Sequence, residues 1–88
     1  MVTKVVMPPL GETMDEGSIY RWLKKEGDLV TKGDVLLEVE TDKTVIEVEA
    51  FATGVLKKII IGEDETVPIG TLIAIIADQN DDISDILN

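Results

Sequence analysis

An internal repeat of 37 residues is the feature of this sequence that most restricts its fold. Shifting the chain by that offset superimposes Gly17 on Gly54 and Val30 on Val67. The same shift aligns further apolar residues and glycines: Ile19 with Leu56, Trp22 with Ile59, Leu23 with Ile60, Gly33 with Gly70, Val35 with Leu72, and Val39 with Ile76. Two similar halves in one small chain indicate two sheets related by an approximate twofold axis, each half completing the core of the other.

Both halves consist of short β-branched and aliphatic runs separated by Gly, Pro, Asp and Asn, which is typical of an all-β sandwich or barrel. The run "SIYRWL" is ambiguous, because Ile19, Trp22 and Leu23 also follow the i, i+3, i+4 spacing of a helix. Its repeat counterpart, "GVLKKIII", is rich in β-branched residues and favours a strand in both copies. A β-bulge would then turn both Ile19 and Trp22 inward.

The composition excludes several classes of function. With 8 Lys and Arg against 18 Asp and Glu, the net charge of -10 repels phosphate backbones and anionic lipid surfaces, so we expect neither a nucleic-acid nor a membrane partner. The 88 residues contain no Cys and no His, which leaves few groups for a catalytic site and none for a thiolate metal site. We expect a soluble intracellular domain with no resident metal.

Residues 35–50, "VLLEVETDKTVIEVEA", predict a β-hairpin. Alternation predicts an inner face of Val35, Leu37, Val39, Ile46, Val48 and Ala50, and an outer face of Leu36, Glu38, Glu40, Glu47 and Glu49. The intervening "TDKT" is a tight turn, in which Asp42 can cap the backbone and Lys43 projects from the tip.

Lys43 is isolated among carboxylates, because the nearest other cations in the sequence are Lys32 and Lys57. A lysine that served only to offset charge would act better on a strand face opposite Glu38 or Glu47. A position at the tip instead favours access by a modifying enzyme. Residue type alone does not separate this role from that of an ordinary surface lysine.

The sequence resembles the lipoyl domains of the acyltransferase components of 2-oxo acid dehydrogenase complexes over about residues 2–77. The resemblance is carried by "MPPLGETMDEGSI", "KKEGDLVTKGDVLLEVETDK" and "GVLKKIIIGEDETVPIGTLIAII". It implies a flattened β-barrel or sandwich of two four-stranded antiparallel sheets with quasi-twofold symmetry. In that family the lysine of the "DK" pair carries lipoate in amide linkage, which assigns the attachment site to Lys43.

The resemblance also implies a swinging arm that does not itself catalyse a reaction. A thiamine-diphosphate-dependent 2-oxo acid decarboxylase would load the arm with an acyl group, the acyltransferase core would pass that group to coenzyme A, and dihydrolipoyl dehydrogenase would reoxidise the arm. A lipoylating enzyme is the fourth expected partner. The expected location is the cytoplasm, or the mitochondrial matrix in a eukaryote.

The residues expected to identify the domain to these partners lie in the hairpin turn and in the loop "PPLGETMDEG": Glu40, Thr41, Asp42, Thr44, Leu10, Gly11, Glu12 and Thr13. Thr44 departs from the family pattern, in which Ala is common. Structural turns are expected at five glycines: Gly17, Gly27, Gly33, Gly54 and Gly70.

The expected domain covers residues 1–77, followed by an acidic linker or tail over 78–88 in which Ile83, Ile86 and Leu87 could form a short helix. Asp78, Asn80 and Asp82 have the spacing of a calcium loop, but Ile83 stands where that loop needs glycine.

Two alternatives remain at this point. A biotinyl carrier domain shares the fold and also modifies a hairpin lysine, although methionine normally flanks that lysine where Asp42 and Thr44 stand here. An unmodified protein-interaction barrel is the other alternative.

Overall fold

The computed structural model describes residues 2–11 and 14–84, which form eight strands. The strands are β1 (Val2–Val6), β2 (Glu16–Trp22), β3 (Leu29–Val30), β4 (Val35–Glu40), β5 (Val45–Glu49), β6 (Gly54–Ile59), β7 (Thr66–Pro68) and β8 (Leu72–Ala77). They form two four-stranded antiparallel sheets, ordered β1-β8-β6-β3 and β5-β4-β2-β7. The predicted all-β fold is confirmed as a flattened sandwich of two separate sheets.

The two sheets are related by the twofold axis that the repeat predicts, because exchanging β1 to β4 with β5 to β8 converts one strand order into the other. Individual hydrogen bonds follow the same symmetry. The backbone N–H of Trp22 donates to Glu63 Oε2 at 2.9 Å, and its counterpart in Ile59 donates to Glu26 Oε2 at 2.8 Å. The 37-residue offset therefore relates the two halves in three dimensions as well as in sequence.

A β-bulge in β2 resolves the ambiguity of the "SIYRWL" run. The β2–β4 register shifts between Ile19 and Arg21, and the β6–β8 register shifts at the equivalent place, between Leu56 and Lys58. As predicted, the shift brings Ile19 into the core and packs half-buried Trp22 against it. Trp22 Nε1 donates to the backbone carbonyl of Ile61 at 2.9 Å, which satisfies the indole N–H.

The core lies between the two sheets and consists of aliphatic side chains. In residues 2–11 and 14–84, no polar or charged side chain is buried. Removing a side chain such as Leu37 or Ile76 from water stabilises the fold by about 1.5–3 kcal/mol. The solvent-facing sides of the sheets are consequently free to carry other chemistry.

Two details of the predicted hairpin and turns are wrong. Leu36 was expected on the outer face, but it is fully buried, because the β4–β5 register shifts between Val35 and Leu37 and breaks the alternation. Gly17 and Gly54 lie within β2 and β6 rather than in turns. Both are positions of close packing: a Cβ on Gly17 would overlap Leu10 Cδ1, and one on Gly54 would lie 2.9 Å from the carbonyl oxygen of Ala77.

The other three glycines, Gly27, Gly33 and Gly70, occupy turns with φ of 93°, 98° and 88°, as expected.

Beyond β8, the described chain continues as a turn over 78–81 that contacts β6, since Lys57 Nζ donates to the carbonyl of Gln79 at 2.5 Å. Ile83 is half-buried, whereas Ile86 and Leu87 lie outside the described residues. The proposed boundary between 77 and 78 stays a prediction. None of the described helical residues forms a segment long and apolar enough to cross a membrane.

Candidate modification site

The hairpin of β4 and β5 presents Lys43 at its tip, as predicted. The two strands pair from Val35 and Glu49 to Glu40 and Val45, with one shift of register between Val35 and Leu37, and residues 41–44 connect them. Asp42, Lys43 and Thr44 are all exposed. Paired strands therefore support the turn that carries Lys43 on both sides.

The hydroxyl of Thr41 holds this turn, whereas the sequence had suggested Asp42 as the cap. Thr41 Oγ1 accepts hydrogen bonds from the backbone N–H groups of Lys43 at 3.2 Å and Thr44 at 3.0 Å. The same oxygen donates to the carbonyl of Thr44 at 2.9 Å, and the N–H of Thr41 donates to that carbonyl at 2.7 Å. In the described part of the chain, the Asp42 carboxylate takes part in none of the hydrogen bonds.

The Lys43 amine has no partner among the described residues, since it takes part in none of their hydrogen bonds or salt bridges. Lys24 and Lys58, in contrast, pair with Asp34 at 3.8 Å and Glu26 at 3.7 Å. A primary amine that is exposed and has no partner among the described residues, at the tip of a paired hairpin, fits the attachment of a prosthetic acid through an amide bond.

The outer face of the β5-β4-β2-β7 sheet is acidic close to this tip. Glu38 lies directly opposite Glu47, a like-charge pair that destabilises a sheet unless a cation offsets it. Arg21 lies opposite Glu38 on the other side and forms a salt bridge with it. The hydrogen bond and charge of Glu38 raise the pKa of Arg21 above its usual value. Glu40 and Asp42 stay exposed beside Lys43.

A shallow depression of about 220 Å³ lies between the tip and the loop that precedes β2. It is lined by Met14, Glu16, Gly17, Ser18, Glu40, Thr41, Asp42 and Thr66. The structure thus brings three of the predicted recognition residues, Glu40, Thr41 and Asp42, into one surface. Thr44 is exposed in the same turn but does not line the depression.

The predicted loop residues differ in their surroundings. Leu10 is half-buried and packs against the core, while Gly11 is exposed. Glu12 and Thr13 lie outside the described residues. The recognition roles of all these residues stay predictions.

The sequence interpretation missed Ser18 and Thr66, whose hydroxyl oxygens are 2.6 Å apart in the depression. The repeat could have drawn attention to them, because it aligns Ser18 with Val55 and Thr66 with Leu29, two polar residues with two apolar ones.

In the described ranges, no group of three or more His, Cys, Asp or Glu side chains is placed to hold a metal ion. Asp78, Asn80 and Asp82 have the spacing of a calcium loop in the sequence, but they are not part of such a group in the structure.

The sequence profile of the biotin-lipoyl family, described as "Biotin-requiring enzyme", matches residues 3–76. The chain belongs to this family. It is also similar to a solved lipoyl domain from the 2-oxoglutarate dehydrogenase complex of Azotobacter vinelandii. That match has a TM-score of 0.72 and 33% identity, and covers 85% of this chain and 95% of the other. At that identity and coverage, the chain is a lipoyl domain.

Among curated proteins, the chain is similar to longer components of pyruvate dehydrogenase complexes. It is 48% identical to the dihydrolipoyllysine-residue acetyltransferase component of Rickettsia prowazekii over 98% of this chain. It is 44% identical to the mitochondrial pyruvate dehydrogenase protein X component of Mus musculus over 90% of this chain. The chain spans 21% and 16% of the length of these two relatives.

Proposed function

We propose that this domain is a carrier whose Lys43 receives lipoate in amide linkage. The observation that carries the proposal is the position of Lys43: an exposed amine, unpaired among the described residues, at the tip of a hairpin supported on both sides. Membership of the biotin-lipoyl family supports the attachment of a prosthetic acid to a lysine.

The flanking residues favour lipoate over biotin. Asp42 and Thr44 stand where biotin carriers normally have methionine. The similarity over nearly the full length of a solved lipoyl domain points the same way.

The domain itself supplies position and identity, while the bound lipoate supplies a dithiolane that can carry an acyl group. The paired strands β4 and β5 hold the attachment point away from the core. Amide formation removes the charge of Lys43, which leaves Glu40 and Asp42 as the charged groups beside the arm. We therefore expect partner enzymes to approach this tip with an electropositive rim.

We propose that the partners are a lipoylating enzyme, a 2-oxo acid decarboxylase, an acyltransferase core and dihydrolipoyl dehydrogenase. The names of the Rickettsia and mouse relatives support a pyruvate dehydrogenase complex in particular. A bacterial cytoplasm or a mitochondrial matrix is the corresponding location. Tethering would raise the concentration of the arm at each active site, provided that the linker spans the distance.

Intact mass spectrometry after co-expression with a lipoyl ligase, and separately with a biotin ligase, tests the proposal. We expect one lipoyl group per chain and no biotin adduct. Lys43→Ala should abolish the adduct while changing the free energy of unfolding by about 0.5 kcal/mol or less, since its side chain is an exposed turn residue. A biotin adduct, or no adduct on Lys43, would contradict the assignment.

Lys32→Ala is the matched control, because Lys32 is also an exposed turn lysine whose side chain makes none of the described contacts. This variant should be lipoylated as fully as the wild type. An unmodified wild-type chain in a competent host would instead favour the protein-interaction domain.

A further inference from the structure

The hydroxyl of Thr41 is fully engaged around Lys43. A hydroxyl offers one hydrogen and two acceptor lone pairs. In Thr41 the hydrogen goes to the carbonyl of Thr44, and the oxygen accepts the N–H groups of Lys43 and Thr44. The backbone on both sides of the Lys43 side chain is thus tied to one side chain two residues earlier.

Within the described part of the chain, no other side chain restrains these two N–H groups. The β4–β5 ladder ends at Glu40 and Val45, and the one further backbone bond of the turn, from the N–H of Thr41 to the carbonyl of Thr44, does not involve the N–H groups of Lys43 and Thr44. The side chains of Asp42 and Thr44 make none of the described hydrogen bonds. If the Thr41 hydroxyl were removed, the N–H groups of Lys43 and Thr44 would be left to water.

The turn related by the twofold axis is not held in this way. Asp78 occupies the position equivalent to Thr41, and there it is the carboxylate of Asp81 that accepts from the N–H of Asp78, at 3.1 Å. The Thr41 arrangement is therefore a property of its own side chain, and the fold does not impose it on both ends.

We infer that Thr41 is a positioning residue, whose hydroxyl orders the tip before a modifying enzyme binds and so sets the rate at which Lys43 is acylated. This inference rests on the proposed function. Ordering the backbone of one residue is unfavourable by roughly tenfold in an equilibrium constant. An enzyme that meets an ordered tip avoids that loss, and a preorganised ligand binds more tightly for the same reason.

The test compares four forms of the domain: wild type, Thr41→Val, Thr41→Ser and Thr53→Val. Valine matches the shape of threonine but has no hydroxyl, whereas serine keeps the hydroxyl. Thr53→Val is the matched control, because Thr53 Oγ1 also accepts a backbone N–H, that of Lys32 at 2.9 Å, beyond the far end of β5. The readouts are the ¹⁵N order parameter of the Lys43 amide in the unmodified domain and the kcat/KM for lipoylation.

In the wild type, Thr41→Ser and Thr53→Val, we expect the order parameter of the Lys43 amide to be about 0.85, a value typical of rigid backbone. In Thr41→Val it should fall below about 0.6, the range of flexible backbone. The kcat/KM for lipoylation should fall about tenfold in Thr41→Val alone, with most of the loss in KM, because the amine itself is unchanged.

If Thr41 had a purely structural role, Thr41→Val would lower the melting temperature, but the kcat/KM for lipoylation would be the same in Thr41→Val and Thr53→Val. An order parameter in Thr41→Val equal to that of the wild type, or a kcat/KM within twofold of it, would overturn the inference. Absence of a lipoyl adduct on the wild type would instead contradict the proposed function, while the order parameter, measured on the unmodified domain, would still decide whether Thr41 holds the tip.

Discussion

The two turns related by the twofold axis, residues 41–44 and residues 78–81, follow the equivalent strands β4 and β8 but differ in chemistry. Both are tight turns in which a side chain accepts a backbone N–H. In the first the acceptor is the neutral hydroxyl of Thr41, and in the second it is the carboxylate of Asp81. Lys43 is exposed in the first turn, and Asn80 is exposed at the equivalent position of the second. The backbone bonds of the two turns run in opposite directions: the N–H of Thr41 donates to the carbonyl of Thr44, whereas the N–H of Asp81 donates to the carbonyl of Asp78. The first turn carries a lysine, and the second carries none.

The rows of residues beside the two turns differ even more. Next to the first turn, one row crosses the sheet as Thr66, Ser18, Glu40 and Val45. The equivalent row next to the second turn is Leu29, Val55, Ala77 and Val2. Leu29 is 78% exposed, so the second row presents apolar surface where the first presents hydroxyls and a carboxylate. The two halves share the fold, and their outward side chains make one end distinct from the other.

Moving the lysine to the second turn tests whether an exposed lysine in a turn at the equivalent end of the fold is enough for modification. In the double variant Lys43→Ala, Asn80→Lys, we expect no lipoyl adduct at position 80 under conditions that modify the wild type completely. The second turn lacks the Thr41 hydroxyl and the polar row, and we expect both to matter for recognition. Intact mass spectrometry with Lys43→Ala as the background control gives the answer, and an adduct at position 80 would mean that an exposed turn lysine at either end of the fold is enough for recognition.

The two strand glycines should respond unequally to the same substitution. A Cβ on Gly54 would lie 2.9 Å from the backbone oxygen of Ala77, in a strand held between two neighbours, so Gly54→Ala should cost about 1–3 kcal/mol of unfolding free energy. A Cβ on Gly17 would meet the side-chain ends of Leu10 and Met7, which can shift for about 0.5–1.5 kcal/mol. Urea unfolding measures both, and a larger loss for Gly17→Ala would contradict this difference.

The smallest expected effect concerns pH. The backbone N–H of Ser84, followed by its hydroxyl, lowers the pKa of Asp82, which follows the second turn, and Lys57 contributes less. A pKa lowered by folding gives stability that is present above the unfolded value of about 3.9 and lost as the pH falls through the folded value. The effect on stability is small, because Asp82 is exposed.

An NMR titration should therefore give an Asp82 midpoint below the ordinary aspartate value, and Ser84→Ala should raise it by removing the hydroxyl bond. The Thr41 hydroxyl does not ionise in this range, so its bonds to Lys43 and Thr44 should persist in acid. An Asp82 midpoint unchanged by Ser84→Ala would contradict the role of the hydroxyl.

Local pattern predicted the strands well and failed where register shifts. The alternation in residues 35–50 placed Val39 and Val48 correctly, because side chains in regular strands alternate between faces. It misplaced Leu36, because one bulge reverses the alternation, and nothing in the letters "VLLEVE" marks where a bulge will form. The bulge between Ile19 and Trp22 was predictable because both residues are apolar, and a regular strand would place them on opposite faces.

The candidate site, like the strands, was predictable from the sequence only in part. The position of Lys43 at a hairpin tip follows from two alternating runs around a polar break, and resemblance to lipoyl domains supplied the expectation of lipoate. The sequence could not show whether Thr41 or Asp42 holds the turn, since both residue types hydrogen-bond to nearby backbone groups. The hydrogen bonds of the folded turn decide in favour of Thr41.

By itself, the sequence determined that this is an all-β domain of two similar halves with an isolated lysine at a hairpin tip, because hydrophobic periodicity and repetition are properties of the chain. The tertiary structure decided which residues meet on neighbouring strands: Ser18 with Thr66, Arg21 with Glu38, and Gly54 with Ala77, whose backbone oxygen leaves no room for a Cβ at position 54. These contacts join residues far apart in the chain, and their partners are fixed by strand register, which depends on the packing of the whole sandwich.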